Sequence, residues 1–210
     1  GLYNEAKVQV EDLEIPNTSQ NGIYSKGGEV MVDGLKAENI GEYGLSNADD
    51  GLMDVRDVVI NDAGRTGIQN VGTMTADNVT IDTVAWYGMS NPEGSVFTGS
   101  NMSIINAGED RSGIHNQGVL EIDDVTIEGA RHGVYNGGTI EAIALSISNP
   151  NGNGIYNYGG TVTVDGLAVE NTGEYGVSNT GIFNLIDASV DTVGINGVHN
   201  TGEMTVNDLL

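Results

Sequence analysis

Residues 154–176 read GIYNYGGTVTVDGLAVENTGEYG. Three short segments stand out: Gly154–Asn157, Thr161–Asp165 and Leu167–Asn171. Alternation with period two puts Ile155, Asn157, Val162, Val164, Leu167, Val169 and Asn171 on one side, with Tyr156, Thr163, Asp165, Ala168 and Glu170 on the other. Gly, Asn, Thr and Val are weak helix formers, and nothing recurs with a helical period. The stretch therefore predicts strands.

The unit recurs along the whole chain. A glycine, an apolar residue, a variable residue and usually an asparagine begin at Gly1, Gly22, Gly44, Gly67, Gly88, Gly113, Gly133, Gly154, Gly176 and Gly197. Successive starts are 20 to 25 residues apart, too regular for chance. Between the second and third segments stand Asp12, Gly34, Asp57, Asn78, Asn101, Asp124, Ala144, Gly166, Asp187 and Asp208. Gly, Asn and Asp enter the left-handed region most readily, which predicts a sharp one-residue corner at every position except Ala144. One turn cannot bury its own apolar side. Turns stacked at ~4.8 Å can, and each then pairs its backbone with the next. The expected fold is all-β: a single-stranded parallel β-helix of about ten coils of ~22 residues, with three short strands per coil. A leucine-rich repeat would need a helical return, and the return here is strand-like.

The chain resembles the right-handed parallel β-helix (pectin-lyase-like) superfamily, and in look the repeats of autotransporter passengers and polymorphic outer-membrane proteins. The Gly-Ile-Tyr-Asn units, the Asn/Gly/Asp corner and the asparagine after the third segment carry that likeness over all 210 residues. Right-handedness is what the resemblance and the chirality of parallel crossovers imply.

Two polar columns are predicted to face inward. The first is Asn4, Asn47, Asn70, Asn91, Asn116, Asn136, Asn157, Asn179 and Asn200, broken by Ser25. The second is Asn17, Asn39, Asp62, Thr83, Asn106, Gly129, Asn149, Asn171 and Thr192. Stacked carboxamides can bond one another along the axis and satisfy their own buried groups, so both read as structural ladders.

A longer period overlies the short one. Residues 21–47 and 153–179 align without a gap at an offset of 132, with 19 of 27 positions identical. This reads as duplication of a six-coil block within one solenoid, residues 1–210, and the unfinished-looking ends suggest an excerpt of a longer rod.

Charge narrows the function. Acidic residues outnumber basic ones 30 to 7, a net charge of -23, which argues against a nucleic-acid partner. There is no cysteine, so thiolate metal sites and nucleophiles are excluded, and no apolar run is long enough for membrane insertion as a helix. Connections between coils are short, the longest being residues 107–112, which argues against a deep cleft and hence against an enzyme. The acidic pairs Asp49-Asp50 and Asp123-Asp124 read as turn residues. No catalytic or metal-binding residues are assigned and no cofactor is required. Outward carboxylates are hard ligands, so surface Ca2+ is compatible with the pattern.

One surface collects unlike chemistry on stacked loops: Trp86, Tyr87, Glu109, Asp110, Arg111, Arg131 and His132. Aromatics beside charges suit carbohydrate or protein contact. The leading expectation is a non-enzymatic, secreted or cell-surface solenoid, a stalk, fibre or adhesin segment. Its partners would be further coils or copies end to end, or a carbohydrate or host surface protein. The alternative is a carbohydrate-active enzyme or polysaccharide-binding module of the pectate-lyase type.

Overall fold

The computed structural model describes all 210 residues. The chain winds as a right-handed parallel β-solenoid, the hand that twisted parallel strands favour. Each coil contributes one short and one long strand, and like strands stack into two ten-stranded parallel sheets. Ile155–Asn157 belongs to the short sheet and Thr161–Thr172 to the long one. The second and third predicted segments are thus one bent strand. Its ladder runs through the bend and leaves only the corner residue unpaired: Ser100 faces Asp123 and Met102 faces Val125, while Asn101 and Asp124 have no partner.

All ten corner residues have positive φ, including Ala144 at 50°. The corner is imposed by the neighbouring coils strongly enough to hold an alanine where its Cβ is disfavoured.

The glycine that opens each unit up to Gly176 has a packing reason. A Cβ on Gly133 would lie 2.7 Å from the Gly154 carbonyl oxygen of the next coil and closer still to Cγ2 of Ile147. The short strand thus passes directly over the branched residue of the long strand, and only a bare Cα fits.

The interior is one cluster of 44 buried apolar residues arranged in columns. Phe97 and Phe183 are the largest fully buried side chains. Gly99 makes room for Phe97, since a Cβ there would meet its ring at 2.6 Å. Burial of such columns is the main favourable term in the fold.

The first asparagine column is a buried ladder. Nδ2 of Asn47, Asn70, Asn91, Asn116, Asn136 and Asn157 donates to Oδ1 of the next asparagine over 2.7–3.0 Å. Each also donates to a backbone carbonyl at the start of the next long strand, for example Asn116 to Thr139 over 3.0 Å. Asn179 donates to Asn200 over 2.8 Å, and Asn200 itself is exposed.

The second column is not inward. Asn17, Asn39, Asp62, Thr83, Asn106, Asn149, Asn171 and Thr192 are exposed, and Gly129 is half-buried. Residues from Asn39 to Thr192 in this column have φ between 50° and 65°. They form a second left-handed corner, which breaks the alternation and passes the inward position to the following residue: Ile40, Ala63, Val84, Ala107, Ala130 or Thr172. Some still bond along the outside, as Asn106 does to Asp82 over 3.1 Å.

Candidate functional site

Two outer surfaces combine polar and shaped features across several coils. The first follows the edge where the long strand returns to the short one. The residue after the glycine-apolar pair faces outward from the short sheet, so His115, Tyr135 and Tyr156 stack on successive coils. Tyr87, from the preceding return loop, completes the row. Ring centroids of Tyr87 and His115 are 4.8 Å apart and nearly parallel, and those of His115 and Tyr135 are 5.1 Å apart. The next step changes character: Tyr135 and Tyr156 meet edge-on at 72°, with Tyr158 beside both. Tyr158 is 60% exposed.

Next to this row lies a column of alternating aromatic and guanidinium groups. Arg65 stacks 5.3 Å from the Tyr43 ring centre and 4.5 Å from that of Trp86. Arg111 lies 5.1 Å from Trp86 and 5.5 Å from Tyr87, and donates to the Tyr87 hydroxyl over 3.2 Å. Backbone bonds set the order: the Trp86 N–H donates to the Arg65 carbonyl, and the Gly108 N–H to the Trp86 carbonyl. Trp86 is therefore held between arginines of the coils on either side. Neither arginine has a carboxylate within 4.0 Å, since the ion pairs are Lys7–Glu29 and Lys36–Glu38. Stacked cations of this kind contribute about 0.5–2 kcal/mol per contact and, apart from the Arg111 bond to Tyr87, leave in-plane N–H donors open.

Of the residues singled out in the sequence, the structure brings together Trp86, Tyr87 and Arg111. Arg131 is one coil further, its N–H bonded to the Arg111 carbonyl over 2.7 Å. His132 opens a short strand and packs against Tyr156 at 5.6 Å. Glu109 and Asp110 are exposed on the intervening loop and pair with none of these arginines. Sequence reading missed Tyr43, Arg65, His115 and Tyr158 as members of this surface. Arg65 was detectable, since it precedes Trp86 by 21 residues, one coil.

Burial lowers the pKa of both histidines, and Arg111 beside His115 and Arg131 beside His132 lower them further, with Glu174 opposing at His132. Nδ1 of His132 accepts the Asn153 backbone N–H over 3.0 Å, which fixes the neutral ring with its proton on Nε2. Burial and the neighbouring tyrosines raise the Tyr135 pKa.

The second surface is a groove of about 1050 Å³ along the outer face of the long sheet, crossing seven coils from Asp54 to Ile186. Carboxylates and hydroxyls line it. Asn101 and Ser100 donate to Asp77 over 2.8 and 2.7 Å and hold its carboxyl below the usual range, helped by the Asn78 N–H and Arg56. Glu121 and Glu141 stand side by side on adjacent strands, both exposed. Asp124 is a corner residue at φ 51°, and Asp49 and Asp50 are turn residues at 52° and 58°. No group of three or more His, Asp or Glu side chains is arranged to hold a metal ion.

No protein-family model matches the chain, and no curated protein matches it. A solved structure similar to it is the enzymatically active domain of tailspike protein 2 of bacteriophage CBA120, at 14% identity and a TM-score of 0.42. The likeness covers 100% of this chain and 42% of that one, so the chain spans less than half of its length.

The expectation of a chain without catalysis is corrected here. The argument from short loops fails on geometry, because the groove is made by the face of the bent sheet and needs no long loop.

Proposed function

We infer that the chain is a polysaccharide-binding β-solenoid working outside the cell or at its surface, with the aromatic row as its sugar-contacting face. The observation that carries this reading is the continuity of Tyr87, His115, Tyr135 and Tyr156 over successive coils, with Tyr158 splayed outward beside them. From Tyr87 to Tyr135 the rings cover one another's faces and offer edges, hydroxyls and ring nitrogens. At Tyr135, Tyr156 and Tyr158 they turn, and an exposed ring face becomes available for the apolar face of a sugar. A rigid row with a repeat of one coil suits an extended polymer better than a compact ligand, because little side-chain freedom is lost on binding.

The test is retention on immobilised polysaccharides. Tyr156→Ala with Tyr158→Ala should abolish retention while circular dichroism and melting stay close to wild type. Undiminished retention would overturn the assignment of this face.

A second reading rests on Glu121 beside Glu141 in the groove of the long sheet. Two adjacent carboxyls over a sugar are the minimum equipment for glycosidic hydrolysis, one as acid and one as base or nucleophile. Release of reducing ends from a bound polysaccharide, lost in both Glu121→Gln and Glu141→Gln, would support it. No release from any bound polysaccharide would remove it.

A further inference from the structure

Three of the four arginines, Arg65, Arg111 and Arg131, gather on one loop edge of a molecule with a net charge of -23. Two of them are held in place without a carboxylate. Arg65 and Arg111 lie over the ring of Trp86 from the coils on either side, and their guanidinium groups also rest over Tyr43 and Tyr87 respectively. The Arg65 side chain donates no hydrogen bond and that of Arg111 only one, from Nη1 to the Tyr87 hydroxyl; each keeps other N–H groups along its edge, and a guanidinium edge matches an oxyanion in two-point geometry. The three residues Arg65, Trp86 and Arg111 come from successive coils, so the two forks are two coils apart, roughly 9–10 Å at the spacing of stacked strands. Between them lies an indole, which carries no positive charge to meet a second anion.

Resting on the sugar-binding reading above, we propose that this column selects polysaccharides carrying one anionic group per disaccharide. The fork-to-fork distance is about the length of one disaccharide, and the exposed edge of Trp86 between the forks meets the intervening neutral sugar. A polymer with a carboxylate on every sugar would place an unpaired charge over Trp86. It would also meet the full repulsion of the acidic rod, including Glu109 and Asp110 on the adjoining loop. A neutral polymer would leave both forks unused. Selectivity therefore comes from the spacing of charge as well as its sign.

Trp86 is the single tryptophan, so its fluorescence reports this column directly. The probes are decasaccharides in 0.15 M salt: one of alternating glucuronate and N-acetylglucosamine (hyaluronan type), the same oligomer with its carboxyls reduced to alcohols, and one of galacturonate only. Polyglutamate of similar length is the peptide control. The alternating oligomer should bind at least about tenfold more tightly than each of the others, the effect of one charge-assisted fork gained or lost. Arg65→Gln and Arg111→Gln should each bring its affinity down to that of the reduced oligomer. Lysine at either position should not restore it, because a point charge lacks the fork. Unchanged melting would show that the variants are folded. Equal binding of all three sugars would overturn the charge rule and leave the sugar-binding face standing. Equal or tighter binding of galacturonate or polyglutamate would overturn the spacing argument. Failure of every sugar to bind would overturn both this proposal and the reading it rests on.

Discussion

Ser25 lies directly opposite Asn47 in the register of the short sheet, and their inward atoms do not meet. Oγ of Ser25 and Oδ1 of Asn47 are both buried without a hydrogen-bond partner. Asn47 points its amide nitrogen at Asn70, so its oxygen faces back toward the serine. The ladder is interrupted at one rung.

That interruption predicts a stabilising substitution. Ser25 aligns with Asn157 at the offset of 132, in the matching sequences Ser25-Lys26-Gly27-Gly28 and Asn157-Tyr158-Gly159-Gly160. The loop therefore already has the shape that accepts an asparagine. Ser25→Asn should supply the missing donor to Asn47, adding about 1 kcal/mol and raising Tm by about 2–4 °C for a chain of this size. A fall in Tm would show that the rung has no room.

The opposite change belongs in the middle of the ladder. Asn116 accepts from Asn91 and donates to Asn136, each over 2.8 Å. Asn116→Leu would strip the Asn91 amide of one of its two acceptors, leaving the Val119 carbonyl, and the Asn136 carbonyl oxygen of one of its two donors, leaving the Gly138 N–H, at a cost of about 1–3 kcal/mol. Hydrogen exchange should accelerate first in the strands at Met89–Asn91, Ser112–Asn116 and His132–Asn136. Unchanged melting and exchange would count against a load on the ladder.

Acid should weaken the edge that carries the histidines. Burial holds the His115 and His132 pKa values below the ordinary histidine value, so between the lowered values and about 6.5 the unfolded chain binds more protons than the folded one. Their contribution to stability is complete above the ordinary value and is lost as pH falls through the lowered ones. Protonation of His132 at Nδ1 would also deprive the Asn153 N–H of its acceptor. NMR titration of the two rings should give midpoints below the ordinary value, and Tm should fall as pH drops from 7 to 5. A His132 midpoint above the ordinary value would contradict this.

Much of the fold is written locally, because each coil repeats the same few constraints. Alternation placed Ile155, Val162, Val164, Leu167 and Val169 inside, where they are buried. Asn171 was misread because alternation assumes extended backbone, and a residue at φ 53° turns the chain by a corner. Its column of Asn, Asp, Thr and Gly has nearly the composition of the first corner, which was the available signal. Ala144 shows the converse: a corner dictated by its neighbours and invisible in the residue itself. The surface was less legible. His115, Tyr135 and Tyr156 occupy a periodic position, but Tyr43, Arg65, Tyr87 and Tyr158 lie in loops, whose paths set their contacts. The groove holding Glu121 and Glu141 arises from the bend of the sheet, which no residue pattern states.

Hydroxyl-radical footprinting of the chain with a bound polysaccharide decides most directly which face meets sugar. Protection should concentrate on Trp86, Tyr87, His115, Tyr135, Tyr156 and Tyr158, while the groove-lining Ile143 and Ile186 on the long sheet stay as reactive as in the free protein. Protection of Ile143 and Ile186 with the aromatic row unchanged would place the ligand in the groove and contradict the assignment.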